Sequence, residues 1–157
     1  FTLVIPLSAI AIMIRKKQVS DIFISNPKER TIPYIYTACC YGFWCYFLHT
    51  ILHVSQFFFL AAVGATVALL LVTLINRKWK ISAHLCGVGG LTGGLIAYAL
   101  TIGQMPSFGI VSLVLGIALI LMYARLYLNE HTDRQVVAGY LLGIVCTLLP
   151  NLIAIYV

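Results

Sequence analysis

The sequence predicts an all-α fold: a polytopic membrane helical bundle of about six transmembrane helices, forming a single domain over residues 1–157. Three observations predict it. Of the 157 residues, 62% are hydrophobic and only 9% are charged, whereas soluble domains carry about a quarter charged residues. The apolar residues fall into runs near the roughly 20 needed for a helix to cross a bilayer, and an open strand edge cannot be satisfied in lipid. The charges, finally, fall on only one side of the alternating pattern of runs and connections.

The first run, Phe1 to Ile14, reads as the end of a span. It is short and begins at Phe rather than Met, so a trimmed N-terminus is expected. Pro33 to about Leu48 is the second span, with Tyr, Trp and Phe residues from Tyr34 to Phe47 that read as an interfacial aromatic belt. Val54 to Asn76 is the third span and Ser82 to Ile102 the fourth. The fourth contains "GVGGLTGG", whose small-xxx-small spacings let a neighbouring backbone approach closely. Ser107 to Leu128 is the fifth and Gln135 to Val157 the sixth. Thr132 followed by Gln135 forms a capping box that starts the sixth helix.

The connections "HTILH" and "GQMPS" contain no Lys, Arg, Asp or Glu. The connections "RKKQVSDIFISNPKER", "NRKWK" and "RLYLNEHTDR" hold all 10 Lys and Arg and all 4 acidic residues. One membrane face is therefore charged and the other neutral. The formal net charge of +6 sits beside membrane spans, which points to anionic headgroups or phosphate-bearing ligands and away from nucleic acid. Topogenesis alone would put such a face in the cytoplasm, but it does not account for the histidines that sit there.

Two polar islands carry those histidines. In "KISAH", Ser82 can cap the fourth helix, Lys80 adds a charge and His84 lies in the first turn, beside amides that suit an anion. In "ARLYLNEHTDRQVVAG", Arg125 and His131 are six apart, on different faces of a continuous helix. The stretch "LNEHTDR" is polar enough to turn, so the two side chains can converge across it. His131 and Gln135, four apart, then face the same way. His49 and His53 are also four apart, but no third metal ligand accompanies them and they read as an interfacial pair. The five cysteines fit no metal or disulfide framework and read as small buried hydrophobes. No metal site and no cofactor motif is expected.

These islands resemble signature blocks of the type-2 phosphatidic acid phosphatase superfamily. "ISAH" looks like its Pro-Ser-Gly-His block, with Ser82 and His84 matched. "ARLYLNEHTDRQ" looks like its Ser-Arg-x5-His-x3-Asp block, with Arg125 and His131 matched at the right spacing. "NPKERTIPY" loosely echoes the first block through Lys28, Arg30 and Pro33. The resemblance implies an integral membrane hydrolase that needs no metal and cleaves a phosphomonoester or pyrophosphate from a lipid. His131 would attack phosphorus and form a phosphohistidine, with His84 protonating the leaving oxygen. Arg125, Ser82, Lys80, Arg30 and Lys28 would hold the phosphoryl oxygens, in keeping with a reaction that is mostly positioning and charge stabilisation.

This sequence departs from the pattern at Ile81 for Pro, Ala83 for Gly, Ala124 for Ser, and Gln135 where the family has Asp. A glutamine carbonyl can accept the His131 proton but brings no charge to an imidazolium. Asp133 and Glu130 are the nearby carboxylates. The rival readings are a silent member that binds phospholipid headgroups through Arg125 and Lys80, and a small transporter. A transporter would bury an ionisable group near the midplane, and the third to sixth runs contain none. The expected setting is a multi-pass position in a cell membrane, the bacterial inner membrane, with a lipid phosphate and membrane lipids as partners.

Overall fold

The computed structural model describes residues 4–17, 19 and 27–156. In chain order it runs α1 (Val4–Arg15), a 3-10 turn (Pro27–Arg30), α2 (Thr31–Thr50), α3 (Gln56–Ile75), α4 (Ala83–Ile102), α5 (Phe108–Tyr127) and α6 (Asp133–Tyr156). The helix ends follow local chemistry. The Ser82 hydroxyl accepts from the Leu85 N–H at 3.4 Å to start α4, and the Ser107 hydroxyl does the same for Ile110 at 3.4 Å to start α5. At the far end of α4, Gly103 takes a left-handed conformation (φ 68°) that glycine tolerates without strain.

Among the described residues four helices, α3 to α6, are long and apolar enough to cross a membrane, so this is a multi-pass helical membrane bundle. Six full spans are not present among the described residues. The described α1, read from the sequence as the end of a span, is 12 residues and about 18 Å long. With 20 residues α2 is long enough, but its Thr, Tyr, Trp and His side chains leave it less apolar than a span requires. Tyr34 to Phe47, read from the sequence as an aromatic belt, lie on one continuous helix and spread over about 20 Å of its axis. Cys45, Cys86 and Cys146 are buried as expected, but Cys39 is exposed on α2.

The most extensive helix–helix contact is between α4 and α6, and it rests on glycine. A Cβ at Gly143 would collide with the Cys86 carbonyl, and one at Gly89 with the Tyr140 carbonyl. Thr147 sits in the same seam and donates its hydroxyl to the Gly90 carbonyl at 3.0 Å. A core of Ala68, Val72, Ile81, Cys86 and Cys146 extends this contact to α3. Only Ala118 of α5 is buried, and most of the helix's large apolar side chains are exposed, as on a lipid-facing helix.

The glycines of α4 do not all serve packing. A Cβ at Gly87 or Gly94 would meet nothing within 4 Å. These two glycines line a groove of about 690 Å³ between α2, α3, α4 and α5.

Gly143→Ala should therefore lower the thermal unfolding midpoint of the detergent-solubilised protein, at a cost on the order of 1–3 kcal/mol for overpacking a closed seam. Gly87→Ala should leave the midpoint unchanged or raise it, by up to about 1 kcal/mol of helix propensity. Equal losses in the two variants would contradict this division of the α4 glycines.

Candidate functional site

The charged segments gather at one end of the bundle, and backbone bonds fix their relative positions. The Ser82 N–H donates to the Gln135 carbonyl at 3.3 Å, joining the start of α4 to the first turn of α6. At the end of α5 the Glu130 and His131 amides both donate back to the Arg125 carbonyl, at 3.2 and 3.4 Å. Asn129, left-handed at φ 53°, supplies the reversal. This turn bends the chain so that the His131 amide returns to the Arg125 carbonyl.

His131 is the best-defined side chain of the site. Its Nδ1 lies 3.2 Å from the Lys80 carbonyl oxygen and 3.3 Å from Gln135 Oε1. Both neighbours are acceptors, which assigns the proton to Nδ1 and leaves the Nε2 lone pair free. Gln135 Oε1 also accepts the Thr132 N–H at 3.1 Å, which is the glutamine half of the capping box. One amide oxygen thus caps α6 and orients the imidazole together. The nearby carboxylates take other places: Asp133 is exposed in the first turn of α6, and Glu130 pairs with Lys80.

His84 lies in the first turn of α4, exposed, and within reach of the charges of Arg125, His131 and Arg30. Arg30 enters from the 3-10 turn and is 8% exposed; its charge also reaches His131, Glu130 and the Tyr34 hydroxyl. His84, His131, Arg125 and Arg30 therefore share one neighbourhood. The Lys28 side chain lies outside the described residues.

Two phosphate-binding expectations look different in three dimensions. Ser82 is completely buried and its hydroxyl is occupied as the α4 cap, so its place is structural. Lys80 Nζ is 3.0 Å from Glu130 Oε2, and the pair is partly exposed. The Lys80 hydrogen bond and charge hold the Glu130 carboxyl below its ordinary value, but so exposed a bridge contributes only about 0–1 kcal/mol.

Two residues not singled out from the sequence belong to this neighbourhood. Asn76 caps the end of α3, and its side chain is buried beside the Tyr34 hydroxyl. In sequence Asn76 reads as the boundary of an apolar run and Tyr34 as one aromatic among several, so no spacing links them to the islands.

At the other end of the bundle the His49 ring packs against Phe59, tilted by 37° with centroids 4.8 Å apart, and His53 lies past the end of α2 at φ 47°. Among the described residues no group of three or more His, Cys, Asp or Glu is placed to hold a metal ion. No family model, curated protein or solved structure matches the chain.

Burial lowers the His131 imidazole below its ordinary 6.5; the Gln135 and Lys80-carbonyl hydrogen bonds offset part of this, and the Lys80 and Arg30 charges add to it. The folded state therefore resists a proton that the unfolded chain accepts. Stability is intact above 6.5 and is lost as pH falls below that value towards the folded-state pKa. The unfolding midpoint of the parent should drop more steeply below pH 6.5 than that of His131→Ala; identical slopes would remove His131 from the acid response.

Proposed function

We propose that this chain is an integral membrane hydrolase that removes a phosphoryl group from a lipid phosphomonoester or pyrophosphate through a phosphohistidine. The observation that carries this reading is the His131 ring, held in the Nδ1–H tautomer with Nε2 free, in a neighbourhood that includes Arg30, Arg125 and His84. The resemblance of "ISAH" and "ARLYLNEHTDRQ" to the blocks of the type-2 phosphatidic acid phosphatases supports the same assignment.

In this reading His131 Nε2 forms a bond to phosphorus as the bond to the lipid oxygen breaks. His84, protonated, gives its proton to the leaving oxygen. Water then attacks the phosphohistidine while neutral His84 takes a proton from it, the N–P bond breaks, and phosphate leaves. Arg30 and Arg125 offset the charge of the equatorial oxygens.

The groove supports a lipid substrate. It runs along α4 from Ala83, beside His84, to Tyr98, a depth of about 22 Å. Its volume of about 690 Å³ is more than four times the roughly 150 Å³ cavity that holds a benzene ring. Small residues make the room: Gly87 and Gly94 on α4, Ala61 and Ala65 on α3. The setting in this reading is a cell membrane, the bacterial inner membrane.

A second reading, headgroup binding with slow or no turnover, is favoured by Gln135. The neutral amide orients His131 but does not stabilise an imidazolium.

Phosphate release from a panel of lipid phosphates by detergent-purified protein, with and without vanadate, separates the two. Vanadate takes the trigonal-bipyramidal geometry of the transferring group and should block release. His131→Ala should fold and release nothing. Gln135→Asp should raise turnover by about tenfold or more, because a carboxylate supports the cationic imidazole. Release that is insensitive to vanadate and undiminished in His131→Ala would rule out the phosphohistidine.

A further inference from the structure

Phe57 borders two spaces. One is the groove of about 690 Å³ between α2, α3, α4 and α5. The other is a cavity of about 220 Å³ at the neutral end, lined also by Gln56, Thr101 and Asn151. The Phe57 ring is braced on two sides. Its centroid is 5.9 Å from that of Tyr98 and 5.2 Å from that of Phe58, both edge to face, within the range where aromatic pairs attract. The first of these contacts runs from the start of α3 to near the end of α4, so it ties two walls of the groove together at the end far from His84.

Above this bridge the groove is widened by small residues: Ala61, Ala65 and Ala68 on α3, and Gly87, Gly90 and Gly94 on α4. Beyond it the lining turns polar, and the buried Asn151 Oδ1 has no hydrogen-bond partner among the described residues. A hydrocarbon end pushed past the ring would cover those polar groups without offering them a hydrogen bond. Sterics and polarity thus set a stop at the same place. We propose that Phe57, braced by Tyr98, is a specificity-determining residue that sets the length of hydrocarbon chain the site accepts. The end of the substrate's chain stops on its ring, about 21 Å along the α4 axis from His84. This rests on the lipid-phosphate reading above and adds the residue that decides which chain fits. A chain that overfills a packed apolar space loses about fivefold or more in affinity, whereas a shorter one gives up its contacts gradually.

The test uses the detergent-solubilised protein and straight-chain monoalkyl phosphates of increasing length, with the matching alkanols as probes that lack phosphate. Each probe is held at the same mole fraction in the micelle, which cancels the gain any chain makes by leaving water. Affinity is read from the rise in the unfolding midpoint. For the parent it should rise with chain length to a limit and fall about fivefold or more beyond it. Phe57→Ala should move the limit to longer chains, by opening the groove towards the neutral-end cavity. Phe57→Leu, which keeps an apolar side chain at the start of α3, should move it the same way by less, and reads the effect even if the alanine variant fails to fold. Gly94→Leu should move the limit to shorter chains. A Cβ there meets nothing within 4 Å, so the added side chain enters the groove about 6 Å before Tyr98.

A limit that moves in the Phe57 variants supports the floor. If the alkanols share that limit and the phosphates bind no better than they do, Phe57 stands and the lipid-phosphate reading falls. Phosphates that bind better than alkanols, but with no length limit or with one that both Phe57 variants keep, overturn the role of Phe57 and leave the lipid-phosphate reading standing. A parent whose midpoint no probe moves overturns both.

Discussion

The close approach of α4 and α6 is the constraint on which the rest of this molecule depends. In a bilayer, helices gain little hydrophobic free energy from one another, because lipid chains are as apolar as leucine; close packing and interhelical hydrogen bonds decide which pairs associate. Here Gly89 and Gly143 remove the side chains that would hold the two backbones apart, and Thr147 bonds across the seam to the Gly90 carbonyl. That contact sets the start of α4 against the start of α6, where the Ser82 amide meets the Gln135 carbonyl. His84 and His131 are placed by these two helix starts. The geometry at the charged end is thus a consequence of glycine packing deeper in the bundle.

A second consequence concerns which polar groups remain available to a ligand. Several that looked suited to an anion are occupied in holding the scaffold. Ser82 caps α4, Lys80 pairs with Glu130, and Gln135 divides one oxygen between the α6 cap and His131. The Lys80 carbonyl, rather than its ammonium, is what contacts the imidazole. Among the described residues Arg125, His84 and the Nε2 of His131 are not taken up in that framework. His84 comes from α4, Arg125 from the last turn of α5 and His131 from the turn before α6, so these groups are drawn from more than the α4–α6 seam.

The apolar groove joins the two themes. α4 presents one glycine face to α6, where a side chain would clash, and another at Gly87 and Gly94, where a side chain would meet nothing. Glycine inside a helix costs up to about 1 kcal/mol relative to alanine, and packing explains that cost only on the first face. On the second, the missing side chains widen a groove that begins beside His84. In the proposed lipid-phosphate reading, a headgroup at the charged end and a chain in this groove belong to one ligand.

The sequence by itself determined the membrane class, the helical form, most helix limits to within a few residues, and the one-sidedness of charge. These follow from transfer free energy, caps and breakers, which act through neighbouring residues along the chain. It also marked Arg125, His131 and Gln135 as a unit, because their spacing across a short turn leaves few alternatives. The sequence counted more spans than the four helices that qualify among the described residues: aromatic and hydroxyl side chains made α2 look like a belted span. What only the tertiary structure decided was which of the suitable polar groups are taken up by the scaffold. A serine reads the same whether its hydroxyl caps a helix or meets a ligand, and a lysine the same whether paired or not. Asn76 and Tyr34, 42 residues apart, carry no local mark of their meeting. Pairing of polar groups between helices is set by how the helices pack, and packing is a property of three dimensions that no spacing along one chain records.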